Sequence, residues 1–197
     1  MERHHHYIIH KPEGFLSQFV NNEKKQKNKR LLGELYNFPK NTMAIGRLDK
    51  NSEGLLLLTT DGKVSEQVRS KKIEKEYYVQ LDGLITDEAI KRLKQGVEIG
   101  FDGKRYTTLP CKVSRLNDIP VLTPPKKIRS DRHGPTSWVS ICITEGKFRQ
   151  VRKMTAAVGF PTLRLIRVRI GHIHLNNLAS GGVIKTDDLL RLCEGSK

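Results

Sequence analysis

The sequence predicts an α+β fold: a mixed, mostly antiparallel sheet with flanking helices. Three observations predict it. Short alternating apolar and polar runs of strand character recur along the whole chain, helical spacing appears only between some of them, and the order of the two is irregular. At 197 residues and 37% hydrophobic content, the chain can bury one domain, or one domain of two lobes.

Taken in order, Tyr7-Ile8-Ile9-His10 reads as a short strand, and Lys11-Pro12-Glu13-Gly14 as the turn that proline and glycine impose on it. From Asn21 to Arg30 the chain is polar and basic without an apolar face, which predicts an exposed loop. Such a loop suits phosphate, or serves only as a solvated connection. Met43 to Leu48 and Leu55 to Thr60 are apolar runs separated by Asp49-Lys50-Asn51-Ser52-Glu53-Gly54, which predicts strand, loop and buried strand. A short helix is expected over Lys63 to Arg69, a strand over Glu76 to Leu81 and an amphipathic helix over Asp87 to Lys94. Phe101-Asp102-Gly103-Lys104 has hairpin-turn chemistry, Cys111 to Leu116 reads as a strand and Thr123 to Lys127 as a loop. Trp138 to Thr144 alternates as a strand. Lys147 to Val158 has helical spacing that Gly159 and Pro161 end, and Leu163 to Ile170 is the last long strand.

Lys and Arg number 36 against 21 Asp and Glu, a net charge of +15, so the partner should be polyanionic. No apolar run approaches the ~20 residues of a spanning helix and no signal-peptide pattern opens the chain, which favours nucleic acid over a membrane partner. Cys111, Cys142 and Cys193 are odd in number and lack C-x-x-C spacing. A disulfide framework and a zinc site are therefore disfavoured, and a reducing cytoplasm is expected. The histidines at 4, 5, 6 and 10 read as an exposed, incidental cluster, and no metal is expected. Phosphate-cradling and nucleophile-elbow glycine motifs are absent, so nucleotide cofactors and serine hydrolysis find no support.

Asp49 follows one apolar strand and precedes another, which puts a carboxylate at the rim of a sheet. An aspartate there either shapes the turn or does chemistry. Calcium is a third possibility, but where an EF-hand loop needs its twelfth-position glutamate this chain has Thr60. On the helix expected at 147–158, Phe148, Val151, Thr155 and Val158 share an apolar face and Arg152 falls among them. A guanidinium on that side needs an acceptor. Asp49 is the candidate, and the alternatives are solvent and phosphate. Lys147, Arg149 and Lys153 lie nearer the opposite face, as RNA-facing charge or ordinary surface. Tyr77 and Tyr78 point to opposite faces of their strand, one to the core and the other to a site.

The run G-R-L-D-K-N-S-E-G-L-L-L-L-T-T-D-G at 46–62 resembles the active-site motif of ribosomal RNA pseudouridine synthases, in the A-type branch first defined by a small-subunit enzyme. K-E-Y-Y-V at 75–79 resembles that family's tyrosine strand and E-G-K-F-R-Q-V-R-K-M at 145–154 its arginine helix. K-P-E-G at 11–14 and L-I-R-V-R-I-G at 165–171 match its remaining signatures, so the resemblance spans nearly the whole chain. P-T-S-W at 135–138 and G-F-P-T-L-R-L-I-R at 159–167 are similar to the E-type subgroup, whose members act on large-subunit ribosomal RNA.

The resemblance implies a two-lobed pseudouridine synthase fold around a central cleft, with residues 1–197 as a single catalytic domain. Many members of the branch carry an N-terminal S4-type RNA-binding domain, and only ten residues precede K-P-E-G here, so none is expected. It makes Asp49 the catalytic aspartate, Tyr77 the aromatic flanking the target base, Arg152 the partner of Asp49, and Leu165 a packing residue under the site. Arg47, Lys11, Lys147, Arg149 and Lys153, with the basic loop at 21–30, are expected to contact RNA. The implied reaction isomerises one uridine of large-subunit ribosomal RNA, near the peptidyl transferase centre, by a monomer without cofactor. A non-catalytic RNA-binding or ribosome-assembly protein is the competing reading. A DNA-binding module is weaker still, because no helix offers base-reading residues.

Overall fold

A computed structural model describes residues 4–20, 29–70, 73–118, 128, 130 and 133–195. The expected exposed loop at 21–30 lies mostly outside the described residues, as does the whole of the loop at 123–127. The chain divides into two compact units, Met1–Ile73 with Ile166–Lys197, and Glu74–Leu165.

The first unit is built on β1 (His6–Lys11) and β5 (Glu53–Thr59), paired antiparallel with Ile8 opposite Leu57. Every residue of β5 is buried, as a continuous leucine run predicts for a strand covered on both faces. On one face Tyr7, Ile9, Leu56 and Leu58 pack with Leu32, and Phe38 meets the Tyr7 ring edge-on at 5.1 Å. β4 (Met43–Ile45) lies antiparallel along β5. Asp61 ends β5, its carboxylate accepting the amides of Lys63 and Val64 to open α1 (Gly62–Ser70).

Three elements absent from the sequence reading complete this unit: β12 (Ile173–His174), β13 (Val183–Thr186) and α4 (Leu189–Glu194). β13 pairs antiparallel with β1, so the last strand of the chain covers the edge of the first. The N-terminal histidines also depart from expectation. His6 and His10 are buried in β1, with Nδ1 of His6 on Thr59 Oγ1 at 2.8 Å and Nδ1 of His10 donating to the Leu178 carbonyl at 2.8 Å. Burial also lowers the His6 pKa, against the opposing pull of Asp61.

The second unit is organised on β10 (Thr136–Ile143), which pairs antiparallel with β6 (Lys75–Asp82) on one side and β9 (Lys112–Leu116) on the other. α2 (Asp87–Gln95) is capped by the Thr86 hydroxyl on the Ala89 amide and packs on β9. β7 (Glu98–Phe101) and β8 (Lys104–Thr107) form the expected hairpin, with Asp102 and Gly103 at φ 52° and 72°, the two left-handed residues such a tight turn requires. The hairpin packs under α3 (Gln150–Ala157). β11 (Thr162–Ile170) begins in this unit and ends in the first.

Antiparallel pairs dominate, and the parallel pairing of β5 with β11 makes the sheet mixed, as the sequence predicts. That pairing is unusually tight. Gly54 sits at φ 107° opposite Arg167, and a Cβ there would stand 2.3 Å from the Arg167 carbonyl oxygen. Gly54→Ala should therefore lower stability by about 3 kcal/mol or more, from backbone strain and overpacking together. Urea unfolding measures it. A loss under ~1 kcal/mol would mean the two strands part easily.

Candidate active site

Asp49 is half-buried in the loop between β4 and β5, and hydrogen bonds fix that loop at several points. Ser17 Oγ accepts the Leu48 amide at 2.9 Å and donates to the Leu48 carbonyl at 2.8 Å, gripping the residue before Asp49. The Gly14 amide donates to the Lys50 carbonyl at 2.8 Å, and the Ser52 amide to the Asp49 carbonyl at 3.0 Å. The turn after β1 thus buttresses the loop from outside it. Sequence reasoning misses Ser17, because a lone serine three residues past Gly14 carries no signal of this role.

Lys11 corrects the sequence expectation. It is fully buried, and Nζ donates at 2.8 Å to the carbonyls of Pro12 and Phe15, so its charge shapes the turn and does not meet RNA phosphate. Burial lowers its pKa to about 8, against the opposing pull of Glu53, Asp49 and Glu13, while Arg167 adds to the lowering. Arg167 is itself buried, with Nε donating to the Leu55 carbonyl at 2.7 Å. Arg47, two residues before Asp49, is exposed.

The second unit carries the remaining residues of the expected set. Tyr77 is the buried member of the tyrosine pair on β6, opposite Ile141, and Tyr78 is half-buried on the other face. Burial raises the Tyr78 pKa, and neighbouring Glu76 adds to the rise. Arg152 is half-buried on α3, with Nη1 donating to the Thr162 carbonyl at 3.3 Å. A bond of 2.7 Å between the hydroxyls of Thr155 and Thr162 fastens α3 to the start of β11, where Leu165 is buried.

The entry to α3 differs from its sequence reading. The helix starts at Gln150, because Arg149 takes a left-handed conformation at φ 53° and breaks helical continuity with Lys147 and Phe148. Phe148 accordingly leaves the apolar face assigned to it and is 66% exposed. Val151, Thr155 and Val158 keep that face, joined by Met154. Arg149 is exposed; Lys147 and Lys153 are half-buried.

A clamped loop bearing one carboxylate, a tyrosine strand and a helix entered through a basic turn define a class that comparison with known proteins identifies. The RNA pseudouridylate synthase family matches residues 5–157. Ribosomal large subunit pseudouridine synthase E of Xanthomonas axonopodis pv. citri (strain 306) is 43% identical over 177 residues, 87% of this chain and 88% of that protein. Its counterpart in Vibrio parahaemolyticus serotype O3:K6 is 40% identical over 179 residues, 88% of this chain and 70% of that protein. Among solved structures, a crystal structure of pseudouridylate synthase aligns with a TM-score of 0.73 at 25% identity, covering 94% of this chain and 71% of that one. The chain belongs to the RNA pseudouridylate synthase family. It is an isomerase of RNA uridine, and the E-type large-subunit synthases are the relatives it resembles at 40–43% identity.

Lys11 generates a prediction with a definite sign. Its pKa is lower in the folded chain than the ordinary 10.5, so between about 8 and 10.5 the unfolded chain binds more protons. Stability from this group therefore rises as pH rises through that window. Compared with Lys11→Met, the wild type should gain on the order of 3 kcal/mol from pH 8 to 10.5, read from urea unfolding at each pH. Parallel curves for the two proteins would show that the ammonium is not desolvated.

Proposed function

We propose that this chain converts one uridine of large-subunit ribosomal RNA to pseudouridine, near the peptidyl transferase centre of 23S RNA. Residues 1–197 act as one cytoplasmic, monomeric catalytic domain. The similarity to the E-type large-subunit synthases carries the choice of RNA, and the clamped carboxylate of Asp49 carries the chemistry.

The reaction breaks the N1–C1′ bond of uridine, turns the uracil and joins C5 to C1′. C5 gives up its proton and N1 gains one, so the elements are conserved and one carboxylate suffices. Asp49 either adds to C1′ or takes the C2′ proton to give a glycal. Ordinary glycoside hydrolysis needs a second carboxyl group to help the leaving group or to activate water. Here the leaving group itself returns, and water has to be kept away. Tyr77 flanks the base, Arg152 holds charge for the carboxylate, and Leu165 packs beneath. Flipping the nucleotide out of folded RNA costs a few kcal/mol of stacking, which contacts from Arg47, Lys147, Arg149 and Lys153 offset.

The decisive experiment is chemical mapping of pseudouridine across ribosomal RNA from a deletion strain complemented with wild type or Asp49→Asn. One large-subunit position should lose the modification and regain it with wild type alone, while Asp49→Asn still binds RNA. Restoration by Asp49→Asn would remove the carboxylate from the chemistry, and an unchanged map would remove ribosomal RNA as substrate. A second expectation concerns salt. Neutralising several phosphates should cost roughly a thousand-fold in RNA affinity between low and physiological ionic strength, with the rate on bound RNA little altered. Salt-insensitive binding in a filter assay would count against the phosphate contacts.

A further inference from the structure

Phe148 is the most exposed aromatic side chain among the described residues, and the structure around it is organised to present it. Glu145 is the anchor. Its Oε2 accepts from Tyr106 Oη on β8 at 2.5 Å, and its Oε1 accepts the Leu109 amide at 2.9 Å and Gln150 Nε2 at 2.5 Å. Gln150 in turn accepts the Lys147 amide at 2.9 Å and donates its own amide to the Lys147 carbonyl at 3.1 Å. The turn 147–149 is thereby closed at its base, and left-handed Arg149 aims Phe148 outward instead of into the α3 face. Cations surround it. Lys153 Nζ lies 5.5 Å from the Phe148 ring centre and donates to the Gly100 carbonyl at 2.6 Å, while Lys147 Nζ lies 4.7 Å from the Phe101 ring and 4.9 Å from the Tyr106 ring.

A single exposed hydrophobic residue needs no explanation by itself. What separates Phe148 from that case is a fixed backbone, two ammonium groups on neighbouring rings and the exposed charges of Arg149, Lys104 and Arg105 beside it in the chain and on the hairpin. An exposed π-face inside a positive field is complementary to an unpaired base with its phosphates. It is not complementary to a duplex, whose bases show no free face, nor to an apolar protein surface, which would have to desolvate these cations.

We infer that Phe148, set between Lys147 and Lys153 on the turn that Glu145 clamps, is a stacking platform for an unpaired RNA base outside the reacting nucleotide. The inference rests on the RNA-modifying reading above. It assigns to the hairpin 98–107 and the 147–149 turn the recognition of single-stranded RNA next to the target. Phe148 is thus a binding residue, with no part in the bond changes.

The test uses full-length protein with a short fluorescein-labelled single-stranded RNA of mixed sequence, and the same sequence as a duplex. Phe148→Ala should weaken single-strand binding roughly ten- to hundred-fold and leave duplex binding within about three-fold. On rRNA from the deletion strain, it should raise the half-saturating RNA concentration more than it lowers the saturated rate. Phe148→Trp places a reporter at the site, Trp138 being buried, and its emission should be quenched by the single strand and not by the duplex. Equal losses on single strand and duplex, or unquenched Phe148→Trp emission, would overturn the platform. Asp49→Asn/Phe148→Trp separates the two readings: quenching should persist without catalysis, so a failed pseudouridine assay with intact quenching sinks the enzymatic reading and not this one.

Discussion

The first unit depends on one contact between backbones, the approach of β5 to β11 at Gly54. Gly54 stands opposite Lys11 on one side, in the antiparallel pair with β1, and opposite Arg167 on the other, in the parallel pair with β11. Both flanking residues are cations, both are buried, and both spend side-chain hydrogens on carbonyls. Only a residue without Cβ lets three strands close there. Five residues upstream of this knot stands Asp49, so the position of the carboxylate is inherited from strand packing and not from the loop's own preferences.

That arrangement explains why a lysine occupies an interior site at real electrostatic cost. Lys11 caps the carbonyls of the turn that follows it, and the same turn bonds Lys50 through Gly14 and precedes Ser17, which grips Leu48. A neutral side chain of similar length would fill the volume and leave those carbonyls without a donor. Glu53, Asp49 and Glu13 partly offset the desolvation, which ties the charge of the Asp49 loop to the charge that shapes its support. A buried cation used in this way stabilises geometry more than it stabilises the fold.

Much of this was legible in the sequence. Alternation located β1, β6 and β10, the leucine run gave away β5 as a strand covered on both faces, and the Asp102-Gly103 pair marked its hairpin. The motif words located Asp49 and the arginine helix, which composition and periodicity alone left ambiguous between turn-shaping and chemistry. β12, β13 and α4 escaped because they are short and β13 alternates weakly; its place comes from a tertiary pairing with β1. Lys11 escaped for another reason. A lysine beside Pro-Glu-Gly reads as a surface charge, and nothing local reveals that carbonyls converge on it. Phe148 was misplaced because helical spacing was extended one turn too far: Arg149 has no sequence mark of a left-handed residue, and only the Glu145–Gln150 clamp makes that conformation hold.

These errors share a lesson about reading charge. A net charge of +15 points correctly to a polyanion, but it treats every lysine and arginine as equal. Lys11, Arg164 and Arg167 are each under 9% exposed and belong to the architecture. Counterion release counts only the cations that meet phosphate, so the salt dependence of RNA binding reports on the exposed subset: Arg47, Arg149 and the hairpin charges, with the half-buried Lys147 and Lys153. Within that subset, charge sets affinity and stacking sets form. Lysines attract any nucleic acid, whereas an aromatic ring held among them favours the strand whose bases are already free. An enzyme that must extract a base from folded RNA gains from binding where pairing is already broken, because the unstacking it then has to drive is smaller.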